Sequence, residues 1–175
     1  MGTRYHFVTT LDLASQPAAV DTTLRDIVNW PAWWKWARRI EPLSDAPSGT
    51  VGARHRNTIA TPLFYRFTYD TEIVETGEGM ILVESSGDLT GFGLFVYRPS
   101  DDGVHLSFTW LVETPRWWMN LIGPMARPIF VWNHDHLMTN FGEGLARASG
   151  GELIAVSHAT LRPTDPGFFE FSPSV

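Results

Sequence analysis

Residues 5–13, YHFVTTLDL, set Phe7, Thr9, Leu11 and Leu13 on one face with mostly polar residues on the other, the two-residue period of a β-strand. The period then changes. In SQPAAVDTTLRDIVNWP, Val20, Leu24 and Ile27 recur at helical spacing behind Pro17, with Ser15 as the expected N-cap and Pro31 ending the helix at Trp30. The following AWWKWARRIE reads as a second short helix. From residue 43 the alternation returns, in segments near 51–59, 63–76, 80–88, 91–98 and 103–114 separated by turns rich in Gly, Pro, Asp and Ser. In LFYRFTYDTEIV, Leu63, Tyr65, Phe67, Tyr69 and Ile73 share a face, against Arg66, Thr68, Asp70 and Glu72. In GVHLSFTWLVE, Leu106, Phe108, Trp110 and Val112 oppose His105, Ser107, Thr109 and Glu113. Short connections such as SDDG at 100–103 predict antiparallel hairpins, a meander with one apolar face.

After TPRWWMNLIGPMARP, which two prolines interrupt, helical spacing predicts a long helix from Pro128 to about Ala148, stopped by Gly150-Gly151. ELIAVSHATL fits either helix or strand, and PGFFEFSPSV has no clear period. The long helix settles how its two histidines relate. At about 100° per residue, Phe130, His134, Leu137, Met138, Phe141, Leu145 and Ala148 form one stripe, and His136 lies about 200° from His134. An i, i+2 pair on a helix cannot converge on one ion, so His134-x-His136 is not expected to bind metal. His134 is then an inward-facing histidine: either a core residue satisfied by a neighbour, or the polar group of a cavity.

Composition narrows the function. The chain has 175 residues, 43% hydrophobic and 18% charged, which suits one globular domain. A net charge of −6 without a long basic run argues against nucleic acid. With no cysteine there is no disulfide, thiolate nucleophile or Cys-ligated zinc. The start of the chain lacks an apolar signal region, no apolar run is long enough to span a membrane, and His6 stands where a myristoylation signal needs Ser or Thr. The expectation is a soluble, cytoplasmic protein. Aromatic residues reach 13% with eight tryptophans, enough for a thick core or a wide apolar pocket.

The order of strand, two short helices, antiparallel strands and long C-terminal helix resembles the helix-grip fold of the START/Bet v 1-like superfamily, also called SRPBCC or polyketide cyclase/dehydratase. Local motifs carry the resemblance too: PAAVDTTLRDIVNWPAWWKW, GTVGARHR, GDLTGFGLFVY, and PIFVWNHDHLM…GEGLAR on the last helix. It implies an α+β fold, a curved antiparallel sheet wrapped around the long helix, with an apolar cavity between them. Residues 1–149 form the expected domain. Residues 150–175 form a tail packed on it or at a subunit interface.

With the apolar faces turned inward, the expected cavity wall is Tyr65, Phe67, Tyr69, Phe108, Trp110, Phe130, His134 and Phe141. His55 and Asn57 share a face of VGARHRNTI and are candidate polar contacts. Glu84 is either a buried carboxylate or a rim residue, and Arg98 either a mouth residue or an exposed charge. The leading expectation is binding of an apolar or aromatic small molecule without metal or other cofactor. One alternative is a cofactor-independent cyclase or dehydratase with His134 and Tyr69 as proton-transfer groups. Another is a membrane- or protein-interaction module with a collapsed cavity. Trp30, Trp33, Trp34 and Trp36 beside Lys35, Arg38 and Arg39 could touch a membrane surface, although closing the end of the cavity suits so short a run better. Trp132 falls on the polar side of the last helix, so either the tail, with Phe168, Phe169 and Phe171, or a second subunit of a homodimer is expected to cover it.

Overall fold

The structure, a computed structural model, describes residues 3–114 and 123–162. These residues hold eight strands and two α-helices in this order: β1 (Thr3–Leu13), α1 (Pro17–Arg25), a 3-10 helix (Ile27–Ala32), β2 (Ala37–Pro42), β3 (Arg54–Ala60), β4 (Arg66–Gly77), β5 (Met80–Gly87), β6 (Thr90–Ser100), β7 (Gly103–Thr114), α2 (Gly123–Ala148) and β8 (Leu153–Leu161). The strands make one antiparallel sheet in the order β2-β3-β4-β5-β6-β7-β1-β8. The long helix and the short ones pack on its inner face, so the expected α+β helix-grip architecture is present.

The meander and the long helix lie where the periodicity places them. Three local expectations need correction. Ser15 is not the N-cap. Gln16 occupies that position, and the Ser15 side chain instead accepts a hydrogen bond from Ser149 Oγ at 2.9 Å, joining the start of α1 to the end of α2. The first helix stops at Arg25, and Pro31 lies inside the 3-10 helix that follows. AWWKWARRIE is not a helix: its second half is β2, an edge strand. A register shift between Ala37 and Arg39 puts two exposed arginines between buried Ala37 and buried Ile40. Such a bulge turns a two-residue period into an i, i+3 spacing that imitates a helix.

Residues 153–161 of the presumed tail add a strand beside β1, so the sheet continues past residue 149. Its pairing also shifts register at Asp12/Leu13, which blurs the alternation. The helix before it ends as expected. Gly150, at φ 78°, takes the left-handed conformation, Gly151 N–H donates to Ala146 O at 2.8 Å, and Gly150 N–H donates to Arg147 O at 3.2 Å.

Glycines bring the C-terminal half of α2 close to its neighbours. A Cβ on Gly142 would stand 2.8 Å from Leu11 Cδ2, and one on Gly144 would stand 2.5 Å from the Trp33 carbonyl oxygen. At the far end of α1, Arg25 donates to Asp21, Thr76, Tyr97 and the carbonyls of Gly49 and Gly77, tying the helix to the hairpins of the sheet. No helix among the described residues is long and apolar enough to cross a membrane.

Candidate functional site

Strand alternation turns one row of side chains from each of several strands towards α2, and the space between them is a cavity of about 140 Å³. Phe67, Tyr69 and Thr71 of β4, Ile81 and Val83 of β5, Phe95 of β6, and Phe108, Trp110 and Val112 of β7 form its floor. Tyr5 and Phe7 of β1 form one side. Phe130, Asn133, His134, Leu137, Met138 and Phe141 of α2 form the roof. Leu24, Ile27, Trp30 and Trp34 close one end, with Trp30 and Trp34 set edge-on to Phe141 at centroid distances of 5.3 and 5.1 Å. All four tryptophans of residues 30–36 lie in the core or against it.

One glycine makes room for this floor. Gly93 pairs with Trp110 across β6 and β7, and a Cβ there would stand 2.5 Å from the indole ring. The GFG of β6 thus lets the indole lie over bare backbone. Phe95 and Phe108, the next pair along, stack at 4.3 Å.

The polar groups are few. Among the described lining residues none is Asp, Glu, Lys or Arg. The Trp30 and Trp34 indole N–H groups donate to the carbonyls of Leu24 and Leu137, at 3.1 and 3.3 Å. Asn57 Nδ2 donates to Thr71 Oγ1 at 3.0 Å and also lies 3.3 Å from the His55 and Tyr69 carbonyl oxygens. Burial raises the Tyr69 hydroxyl well above its ordinary pKa. Tyr5 is also raised by burial, against the opposing pull of Arg127, whose guanidinium lies 5.5 Å from the ring centre. His134 stacks flat on Phe7, and Nδ1 meets the Asp135 carboxylate at 3.4 Å. Burial lowers its pKa, outweighing the opposing effect of Asp135.

Of the residues expected at the site, Asn57, Phe67, Tyr69, Phe108, Trp110, Phe130, His134 and Phe141 line the cavity, and two do not. His55 faces inward on β3 but sits away from the cavity, 2% exposed, with Nε2 3.5 Å from Ser48 Oγ. The same Ser48 hydroxyl donates to Arg25 O and accepts from Ile27 N–H, so a loop covers that end of the inner face. Alternation identifies the inward face of a strand, not how far along it the cavity reaches. Tyr65 precedes β4. A turn with Thr61 N–H donating to Tyr65 O takes it out of the strand, and its ring packs edge-on to Phe67 at 4.9 Å.

Glu84 and Arg98 are exposed. His136 points away from His134 and stacks on Trp132, which is itself 52% exposed. The tail aromatics expected near Trp132 lie outside the described residues.

Tyr5, Phe7, Phe95 and Asn133 are among the lining residues that sequence reasoning missed. Tyr5 and Phe7 sit on an apolar face that the strand period already marks, whereas Phe95 lies in FGLFVY, apolar on both faces, where no alternation singles it out. Asn133 precedes Leu137 and Phe141 at i+4 and i+8, so it flanks the apolar stripe, and its polarity hid it.

No protein-family model matches the chain, and no curated protein matches it by sequence. Solved structures do. A START superfamily protein from Mycobacterium smegmatis superposes with a TM-score of 0.64 at 17% identity, over 81% of this chain and 98% of that one. The di-domain ARO/CYC protein BexL, from the BE-7585A biosynthetic pathway, gives 0.67 at 11% identity, over 84% of this chain and 50% of that one. A second, StfQ from the steffimycin biosynthetic pathway, gives 0.62 at 16% over 84% and 52%, so this chain spans about half the length of either. At these identities the likeness shows a shared fold alone.

Proposed function

We propose that this chain, a helix-grip protein by its fold, binds a small apolar or aromatic molecule in the cavity between sheet and α2. The cavity carries the reading: an aromatic wall with a handful of polar groups is the usual make-up of a small-molecule site. Its size restricts the ligand. Drug-sized pockets run to roughly 300–1,000 Å³. A volume of about 140 Å³ is close to that of an apolar cavity of about 150 Å³ known to take up benzene. A ligand of about one ring fits without rearrangement.

Burial supports binding over turnover. A tyrosine pushed upward and a histidine pushed downward both stay neutral near pH 7, which suits hydrogen bonding. It also moves each away from the matched pKa that general acid–base catalysis needs. The ARO/CYC likeness keeps a cyclase role as the alternative to test.

The test is native mass spectrometry of freshly purified protein with solvent extraction of any adduct, followed by thermal melts with single-ring aromatics. A ligand at a hundred times its Kd should stabilise the fold by about 2.7 kcal/mol. A bare mass together with no shift from any aromatic would refute the reading.

A further inference from the structure

The two ends of the sheet differ in charge. Strands β2 to β7 alternate in direction, so the β3–β4 and β5–β6 turns, the end of β7 and the starts of β1 and β2 share one end. The start of α2 joins them, with Phe130 and Arg127 against the Tyr5 ring. The β2–β3, β4–β5 and β6–β7 connections share the other end. There Asp45, Glu78, Asp101, Asp102 and Glu152 stand exposed, against Arg98 and Arg147. At the first end the balance is reversed. Lys35, Arg38 and Arg66 are exposed, and Trp36 O accepts the Ala60 N–H at 2.8 Å, which ties the Lys35 segment to the β3–β4 turn. The acids described in the turns there are Asp88, which accepts the Thr68 N–H, and Glu113, which is bound to Arg4.

The cationic end also carries the most exposed large apolar side chain among the described residues. The β3–β4 turn reads TPLFY, where turns ordinarily hold Gly, Asn, Asp or Ser. Phe64 stands fully exposed in it at φ 61°, a left-handed conformation that costs a bulky L-residue about 1–2 kcal/mol. Asn or Gly would fit that backbone with less strain. A strained residue with no packing in return points to a role outside the fold. The cavity lies towards the same end: Phe67 and Tyr69 at the start of β4, Leu89 in the β5–β6 turn, Val112 near the end of β7 and Tyr5 near the start of β1 all line it.

An apolar finger beside cations, on a chain of net charge −6 whose acids gather at the far end, matches a bilayer that carries anionic headgroups. We infer that this chain docks by its cavity end on an anionic lipid membrane. Phe64 enters the acyl boundary, Lys35, Arg38 and Arg66 meet the headgroups, and the acidic end faces away. Docked so, the cavity lies beside the layer in which an apolar ligand collects. That consequence rests on the ligand-binding reading; the docking does not.

The test is co-sedimentation of the full chain with vesicles of phosphatidylcholine alone and of equal parts phosphatidylcholine and phosphatidylglycerol. The chain should bind the mixed vesicles at low salt and release as salt rises. Phe64→Asn, which suits the turn, should weaken binding about tenfold or more, the worth of burying one aromatic ring. Arg66→Ala should weaken it about fivefold, and Arg98→Ala, at the acidic end, should leave it unchanged. No binding to the mixed vesicles would overturn the inference. Equal binding to both vesicle types, undiminished binding by Phe64→Asn, or equal losses in Arg66→Ala and Arg98→Ala would overturn it too. A chain that binds single-ring aromatics in vesicle-free solution but binds no vesicle keeps the ligand-binding reading and loses this one.

Discussion

The imidazole of His134 lies flat on the ring of Phe7, with centroids 3.9 Å apart and planes 9° apart. One residue comes from α2 and the other from β1, so a contact between roof and side wall rests on a titratable ring. Burial is the larger influence on that ring and holds its pKa below the ordinary 6.5, against Asp135. His55 and His158 are lowered by burial too.

The sign of the pH dependence follows. Groups whose folded pKa is depressed bind more protons in the unfolded chain, so stability rises with pH in that range. Their contribution is fully present above about pH 6.5 and is lost as pH falls through the depressed folded values. Urea denaturation between pH 7.5 and pH 5 should show the midpoint falling with acid, with a shallower fall in His134→Phe. An unchanged slope in that variant would mean that His134 does not sense the interior as described.

Gly93→Ala should damage the floor of the cavity. The added methyl would stand 2.5 Å from the Trp110 indole, a distance no real contact tolerates, so the ring must move. Overpacking of this kind costs about 1–3 kcal/mol. Denaturant unfolding would register that loss, and binding of a single-ring aromatic should weaken alongside it. A fully stable variant with unchanged binding would show the indole free to shift.

Asn133→Leu should make the ligand-free protein more stable, by about 1 kcal/mol, because it replaces a buried acceptor that has no partner among the described residues with an apolar side chain of similar size. Denaturant unfolding of the ligand-free protein would register the gain. Lowered stability would instead mean that the amide supports the fold.

Phe64 sits in the turn before β4 at φ 61°, in the left-handed region, with its side chain fully exposed. The strain brings no packing in return. Phe64→Asn should raise the unfolding free energy by up to about 1 kcal/mol, since Asn tolerates this conformation. A drop in thermal midpoint would mean that the exposed ring makes a contact in solution.

Much of the architecture is decided by the sequence itself, because periodicity reports locally on which side of an element is dry. The two-residue alternation of residues 103–114 and the helical stripe through His134 and Phe141 each specify an element and its inward face, and Gly150-Gly151 specifies where α2 stops. That stripe also separates His134 from His136 by simple geometry. What periodicity cannot carry is information that depends on a partner. The bulge at Ala37/Arg39 exists only against β3, so β2 looked helical. Leu153–Leu161 becomes a strand only because β1 offers an open edge. Likewise His55 and Asn57 share one face of one strand, yet Ser48 closes over the first and the cavity reaches the second. An inward face follows from a chain's own repeat; the extent of a cavity, and which polar atoms in it go unmet, follow from how distant elements meet.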